Sequence, residues 1–281
     1  MIFDGYGKYI FYDGAMGTML YKYGLKSGEK PDLMNMTAPD AVENIHRMYV
    51  EAGSDIVCTN TFGSNALNLE GTGYNPSEII TAAVASAKRA CADKAKVALD
   101  IGPTGHVLEP AGDLEYERAY ELFKEMAIAG EKAGADFVAI ETMSYLEELK
   151  AAMTAVKENT KLPMLVTMTF EKSGYTFMGC TPESFVETAE AIGAAAIGLN
   201  CSLEPVEMLA TAERIAKSTK LPLIIKPNAG LPDAVSGEYR TGAEEFAAQM
   251  TGFAKIGARI IGGCCGTTPE YIRELRNKFR D

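Results

Sequence analysis

Eight short apolar runs alternate with amphipathic stretches across 281 residues, with no linker or low-complexity segment between them. This pattern predicts an α/β protein folded as a single (β/α)8 TIM barrel. Strands are expected near 9–13, 55–59, 97–101, 137–141, 164–169, 196–200, 222–226 and 259–262. Each run is largely apolar on both faces, as in a parallel sheet covered by helices. Helical periodicity fills the gaps, for example at 115–133, 183–192 and 207–218. Capping residue and proline mark helix starts at Thr181-Pro182-Glu183 and Thr268-Pro269-Glu270. Gly53, Gly134 and Gly257 end helices just before a strand. A doubly wound open sheet uses the same units and is the alternative.

Composition narrows the function. The chain is 47% hydrophobic, enough for a large core. A formal charge of −11 argues against nucleic acid and anionic membrane surfaces as partners, since both need clustered Lys and Arg. No apolar stretch approaches the roughly 18 residues of a membrane span. Residues 1–8 lack the basic and apolar segments of a secretion signal. Six cysteines without such a signal predict reduced thiols in the cytoplasm, used for metal or catalysis.

In a (β/α)8 barrel the chemistry sits at the C-terminal ends of the strands. Cys201 ends one run there, and Cys264 and Cys265 follow another, 63 residues later. Three soft ligands brought together could hold a zinc ion with one open position, a thiol-activating rather than a structural centre. The bland alternative is that all three are small buried hydrophobes. A third reading makes the 262–268 loop a phosphate cradle at a helix N-terminus. Of the other cysteines, Cys91 belongs to a helix over 81–94 and to the core, while Cys58 and Cys180 carry no assigned role. His46 and His106 are the only histidines, which argues against histidine-based acid–base chemistry. His106 follows the third strand and is expected to be a solvated loop residue.

Asp13 and Glu141, at the tips of the first and fourth strands, could hold a substrate ammonium, or could be helix caps or surface charges. Thr59-Asn60-Thr61-Phe62-Gly63 offers consecutive amides that could cradle a carboxylate, although an ordinary strand-to-helix turn reads the same.

Seven stretches then carry a family likeness: Asp13-Gly14-Ala15-Met16-Gly17-Thr18, Thr59-Asn60-Thr61-Phe62, Asp100-Ile101-Gly102-Pro103-Thr104-Gly105, Glu141-Thr142-Met143, Gly198-Leu199-Asn200-Cys201-Ser202, Lys226-Pro227-Asn228-Ala229-Gly230 and Gly262-Gly263-Cys264-Cys265-Gly266-Thr267-Thr268-Pro269. In this order, from about residue 8 to 275, the chain resembles the homocysteine S-methyltransferase family. Within it the likeness is to the homocysteine-binding barrel of cobalamin-dependent methionine synthase. Gly266 fits that branch, whereas S-methylmethionine-dependent relatives usually carry arginine there. Two positions depart from family patterns. Tyr271 stands where a histidine is common, and Gly63 where the betaine-using branch has a tyrosine that can cap the metal.

The resemblance implies that Cys201, Cys264 and Cys265 hold Zn²⁺ and that the homocysteine sulfur completes the set. It implies that Asp13 and Glu141 grip the amino group of homocysteine. Backbone amides near Gly14 and over Thr59, Thr61 and Phe62 would take its carboxylate. The barrel is expected to occupy residues 1–281, leaving none for a corrinoid or folate module. The methyl group is therefore expected from methylcobalamin or a related corrinoid on a partner protein, or on another module of a longer synthase. S-methylmethionine or S-adenosylmethionine is the rival donor. A non-enzymatic zinc or thiol protein is the rival of a different class.

Overall fold

The computed structural model describes residues 2–232 and 239–280. The strands are β1 (Ile10–Phe11), β2 (Ile56–Cys58), β3 (Lys96–Ile101), β4 (Phe137–Met143), β5 (Met164–Met168), β6 (Ala196–Asn200), β7 (Leu223–Lys226) and β8 (Ala258–Ile261). The helices are α1 (Met16–Tyr21), α2 (Met34–Thr37), α3 (Pro39–Ala52), α4 (Pro76–Cys91), α5 (Tyr116–Ala133), α6 (Leu146–Asn159), α7 (Pro182–Ile192), α8 (Pro205–Ser218), α9 (Ala243–Ala254) and α10 (Pro269–Lys278). All strand pairs are parallel, in the order β1-β8-β7-β6-β5-β4-β3-β2. A parallel bridge from Tyr12 to Ile56 joins the two end strands, so the sheet closes on itself. That closure separates the barrel from the doubly wound alternative.

The local signals act as their chemistry requires. Thr181 accepts the Ser184 amide through its side chain and starts α7, while Thr268 caps α10 without a side-chain bond. Gly53 and Gly134 cap α3 and α5 in the left-handed region, and Gly257 lies in a left-handed turn three residues beyond α9. The helix expected over 81–94 begins earlier, at Pro76, because Asn75 and Glu78 form a capping box.

Two apolar regions hold the molecule together. One lies between the sheet and the helix ring, and Cys91 belongs to it. The other fills the barrel with Ile10, Tyr12, Ile56, Ala98, Phe137, Ala139, Leu165, Ala196, Ile224 and Ile260, and Phe3 and Tyr6 plug its lower end. Strand side chains alternate between faces. The inward series therefore continues upward from Ala98 to Asp100, Ala139 to Glu141, Leu165 to Thr167 and Ile224 to Lys226. The barrel interior is apolar below and polar at the mouth.

His46, on α3, is wholly buried, and neither ring nitrogen has a partner among the described residues. Burial pulls its imidazole down to about 4, from an ordinary value of 6.5. The folded ring is neutral, whereas the unfolded ring takes a proton below about pH 6.5. Its contribution is therefore complete above that value and is lost as pH falls toward about 4, by up to roughly 3 kcal/mol. Denaturant melts from about pH 7 to about pH 4.5 should show a steeper loss of stability for the wild type than for His46→Leu. Parallel slopes would contradict the assignment.

Candidate active site at the mouth of the barrel

The cysteine-bearing loops are shaped by the backbone before any side chain is considered. The chain leaves β6 through Cys201 and Ser202 with φ of 63° and 56°, in the left-handed region. The Cys201 amide bonds the Lys226 carbonyl at 3.0 Å. After β8, Gly263 donates to the Asp13 carbonyl and Cys264 to the Pro227 carbonyl, at 3.0 and 2.8 Å. Gly266 has φ of 83°, and a Cβ there would sit 2.2 Å from the Tyr239 ring. A larger residue at 266 thus needs both a strained backbone and a displaced ring.

These paths bring the three sulfurs within 4.8 Å of one another, with Cys201 and Cys265 at 3.9 Å. Zinc–sulfur bonds of about 2.3 Å at tetrahedral angles place sulfurs about 3.8 Å apart. The donor set therefore fits a tetrahedral thiolate site in both spacing and chemistry. Hydrogen bonds from the Cys264 and Cys265 thiols bring Cys201 down to about 3. The same bonding pushes Cys264 far up and Cys265 up to about 12. The hydrogen bonding thus favours one thiolate among the three sulfurs, and a bound cation would favour the thiolate form of all three. The phosphate-cradle reading does not survive, because the amides of Gly263, Cys264, Gly266 and Thr267 already have protein acceptors.

All three cysteines line a cavity of about 480 Å³ that opens at the barrel mouth. Its floor is the polar layer of the barrel. Asp13 is buried, and its Oδ2 accepts the Cys58 amide at 2.8 Å, while Oδ1 has no partner among the described residues. Burial lifts the Asp13 carboxyl to about 7, against the pull of Lys226. Asp100, also buried with Oδ1 unpartnered, is lifted well above the carboxylate range, by burial first and Glu141 second. Lys226 crosses the barrel to Glu141 Oε2 at 2.5 Å and lies 4.3 Å from the Tyr12 ring centre. Burial alone would lower its ammonium, but Cys58 and Glu141 hold it well above the usual lysine value. Burial pushes the Cys58 thiol well up, and the Glu141 carboxyl is the group in direct contact with the Lys226 ammonium. Cys58, Asp100 and Glu141 have ligand atoms within 4.8 Å of one another, but Lys226 already supplies positive charge there.

The loop after β2 divides its roles. The Thr59 hydroxyl accepts the Asp100 amide at 3.0 Å and bonds Thr61 Oγ1 at 2.6 Å, and the Thr61 hydroxyl donates to the Asp100 carbonyl at 2.8 Å. Thr61 is wholly buried and lies outside the cavity lining, whereas Gly14, Thr59 and Phe62 face the cavity. The amides of Thr59, Thr61 and Gly63 are bonded to Ala98, Thr59 and Asp32, which leaves Asn60 and Phe62 as the donors this loop can offer. At Gly63 a Cβ would lie 3.2 Å from Asp32 Oδ2.

Cys58, Asp100, Lys226 and Asp32 also belong to the cavity wall; the sequence marks Asp100 and Lys226 only as strand-tip residues without a role, leaves Cys58 unassigned and does not single out Asp32. The two-residue alternation could have found the first three, since each follows an inward apolar residue by two. Asp32 braces the 59–64 loop from Gly63 and Ser64, and no local pattern marks it. His106 is exposed, as expected, and Cys180 is a buried loop residue. Tyr271 bonds the Thr241 carbonyl at 2.8 Å and meets Phe246 edge-on, on the helix side of the core.

Lys226→Met would strand the partly buried Glu141 carboxylate and should destabilise the fold by about 3 kcal/mol. Combining it with Glu141→Leu should recover most of that loss. Denaturant melts of the two single variants and the double measure the coupling. Additive losses would mean that the two groups act independently.

Comparison with known proteins agrees with this geometry. The Homocysteine S-methyltransferase family matches residues 10–279. Methionine synthase of Mycobacterium leprae (strain TN) is 35% identical over 287 aligned residues, covering 94% of this chain and 24% of the relative. Methionine synthase of Mycobacterium tuberculosis (strain ATCC 25618 / H37Rv) is 34% identical with the same coverage. The chain therefore spans about a quarter of the length of these relatives. The metallated form of the homocysteine methyltransferase MmuM from Escherichia coli superposes with a TM-score of 0.84, at 22% identity, over 97% of this chain and 96% of that one. Its apo form gives 0.76 at 23% identity over the same shares. At such identity these two show the fold. With nearly its whole length matched, the chain belongs to the homocysteine S-methyltransferase family.

Proposed function

We propose that the barrel transfers a methyl group to the thiol of homocysteine, giving methionine, with Zn²⁺ held by Cys201, Cys264 and Cys265. The observation that carries this is the convergence of three sulfurs at near-tetrahedral spacing on the wall of a cavity floored by carboxylates. When bound, the ion would act as a Lewis acid that makes thiolate available at neutral pH, where a free thiol of pKa about 8.5 supplies little.

The chain's own residues place the substrate. Asp13, with one carboxylate oxygen unpartnered among the described residues, lines the cavity, and Glu141 lies across the floor, so the two accept the substrate ammonium. The amides of Gly14, Asn60 and Phe62 are at hand for its carboxylate, and the Thr59–Thr61 hydroxyl chain keeps that loop in place. In the reaction the sulfur attacks the methyl carbon in line. A carbon–sulfur bond forms, the bond between methyl and donor breaks with its electron pair left on the donor, and the thiol proton goes to solvent. No general base is required, consistent with two histidines that lie away from the cavity lining.

The donor we propose is a methylcorrinoid carried on a separate protein or module, with residues 1–281 forming the homocysteine-binding barrel. Matches to about a quarter of the methionine synthases and the absence of room for a side chain at Gly266 favour it. A cytoplasmic location fits six free cysteines. No described helix is long and apolar enough to cross a membrane.

The test is a donor panel. Zinc-loaded protein with homocysteine should form methionine, detected by mass, from methylcobalamin and not from S-methylmethionine or S-adenosylmethionine. Turnover with either of the latter would move the chain to the rival branch. Zinc retention with no turnover from any donor would make it a non-enzymatic metal protein. In the same assay Asp13→Asn should raise the homocysteine KM at least about tenfold, the loss of a charged hydrogen bond, while zinc stays bound.

A further inference from the structure

Asn200 ends β6 in the polar layer of the barrel and is wholly buried. Its side chain reaches three other strands or their loops. Oδ1 accepts the Thr142 amide at 2.9 Å and the Thr167 hydroxyl at 2.8 Å. Nδ2 donates to Thr142 Oγ1 at 2.7 Å and lies 3.9 Å from Cys264 Sγ. The orientation of the carboxamide follows from chemistry, since the Thr142 amide can only donate and so must face the oxygen.

The partners are unusual in their backbone. Thr142, next to Glu141, has φ of 63°, and Cys201, next to Asn200, has φ of 63°. Non-glycine residues hold that conformation only where the surroundings over-determine it. The β4–β5 register also slips between Ile140 and Met143, around Glu141 and Thr142. A bulge of this kind frees a ladder amide that must find another acceptor. Asn200 Oδ1 is that acceptor.

We propose that Asn200 is a positioning residue that couples the two halves of the site, capping the β4 bulge so that Glu141 faces the cavity and donating N–H to the Cys264 sulfur. Only a carboxamide serves both ends at this size. An aspartate would accept from the Thr142 amide but bring no donor to the sulfur, and would add a negative charge beside it. The sulfur half of the role rests on the zinc reading given above, while the Glu141 half does not.

The experiment uses the full chain with Asn200→Asp and Asn200→Ala, loaded with Zn²⁺ or Co²⁺. Asn200→Asp should bind one ion but release zinc to a chelator about tenfold faster or more, the usual effect of losing a partner behind a ligand. Its thiolate-to-Co²⁺ charge-transfer band should shift to lower energy, because the sulfur loses a donor. The homocysteine KM should rise by a larger factor than kcat falls. Release rate, band position and KM all unchanged from wild type, with only Tm lowered, would overturn the proposal and leave Asn200 a packing residue. The isosteric aspartate variant remains readable if Asn200→Ala does not fold. A wild-type chain that takes up neither ion would overturn the zinc reading itself, and the sulfur half with it.

Discussion

The pleat of eight parallel strands in a closed sheet decides what lies inside this barrel. Every second side chain points inward, so a fixed parity on each strand chooses the interior. On β3, β4, β5 and β7 that parity runs from an apolar residue to Asp100, Glu141, Thr167 and Lys226 at the mouth. On β6 it ends at Asn200, one residue before Cys201. Shifting any of these strands by one residue would turn a site side chain into the helix layer. The hydrophobic interior below therefore fixes the chemistry above.

Collecting three acids in a largely buried layer would oppose folding without compensation. The structure compensates in three different ways. Glu141 is paired with the buried Lys226, burial lifts the Asp100 carboxyl well above the usual range, and Asp13, lifted to about 7, accepts the Cys58 amide. An unpartnered oxygen remains on Asp13 and on Asp100. Such an arrangement is short of one cationic donor, and the ammonium of an amino-acid substrate has that chemistry. The three cysteines pose the same problem in sulfur: their mutual hydrogen bonds pull Cys201 down and push Cys265 up, so the cluster favours one thiolate, and a divalent ion as proposed would stabilise all three.

Much of this was legible from the residues. The apolar runs set the strands to within one or two residues, since a buried parallel strand has little freedom in composition, and the strand tips followed from them. Cys201, Cys264 and Cys265 were legible because they sit at two such tips, and the folded backbone brings their sulfurs together. Glu141 and Lys226 were both legible as strand-tip residues, but their pairing was not, because an ion pair across a barrel joins residues 85 apart with no local signature. Thr61 shows the opposite limit. It belongs to the same motif as Thr59, yet the chain turns after β2 and spends its hydroxyl on the Asp100 carbonyl. The fit of Gly266 against Tyr239 is likewise a matter of packing between distant segments.

Zinc-edge X-ray absorption on the metal-loaded chain, with and without homocysteine, tests the central claim most directly. Three sulfur neighbours at about 2.3 Å, rising to four when homocysteine is added, is the result predicted. A sulfur count that does not change with homocysteine, or a shell of nitrogen and oxygen, would contradict it.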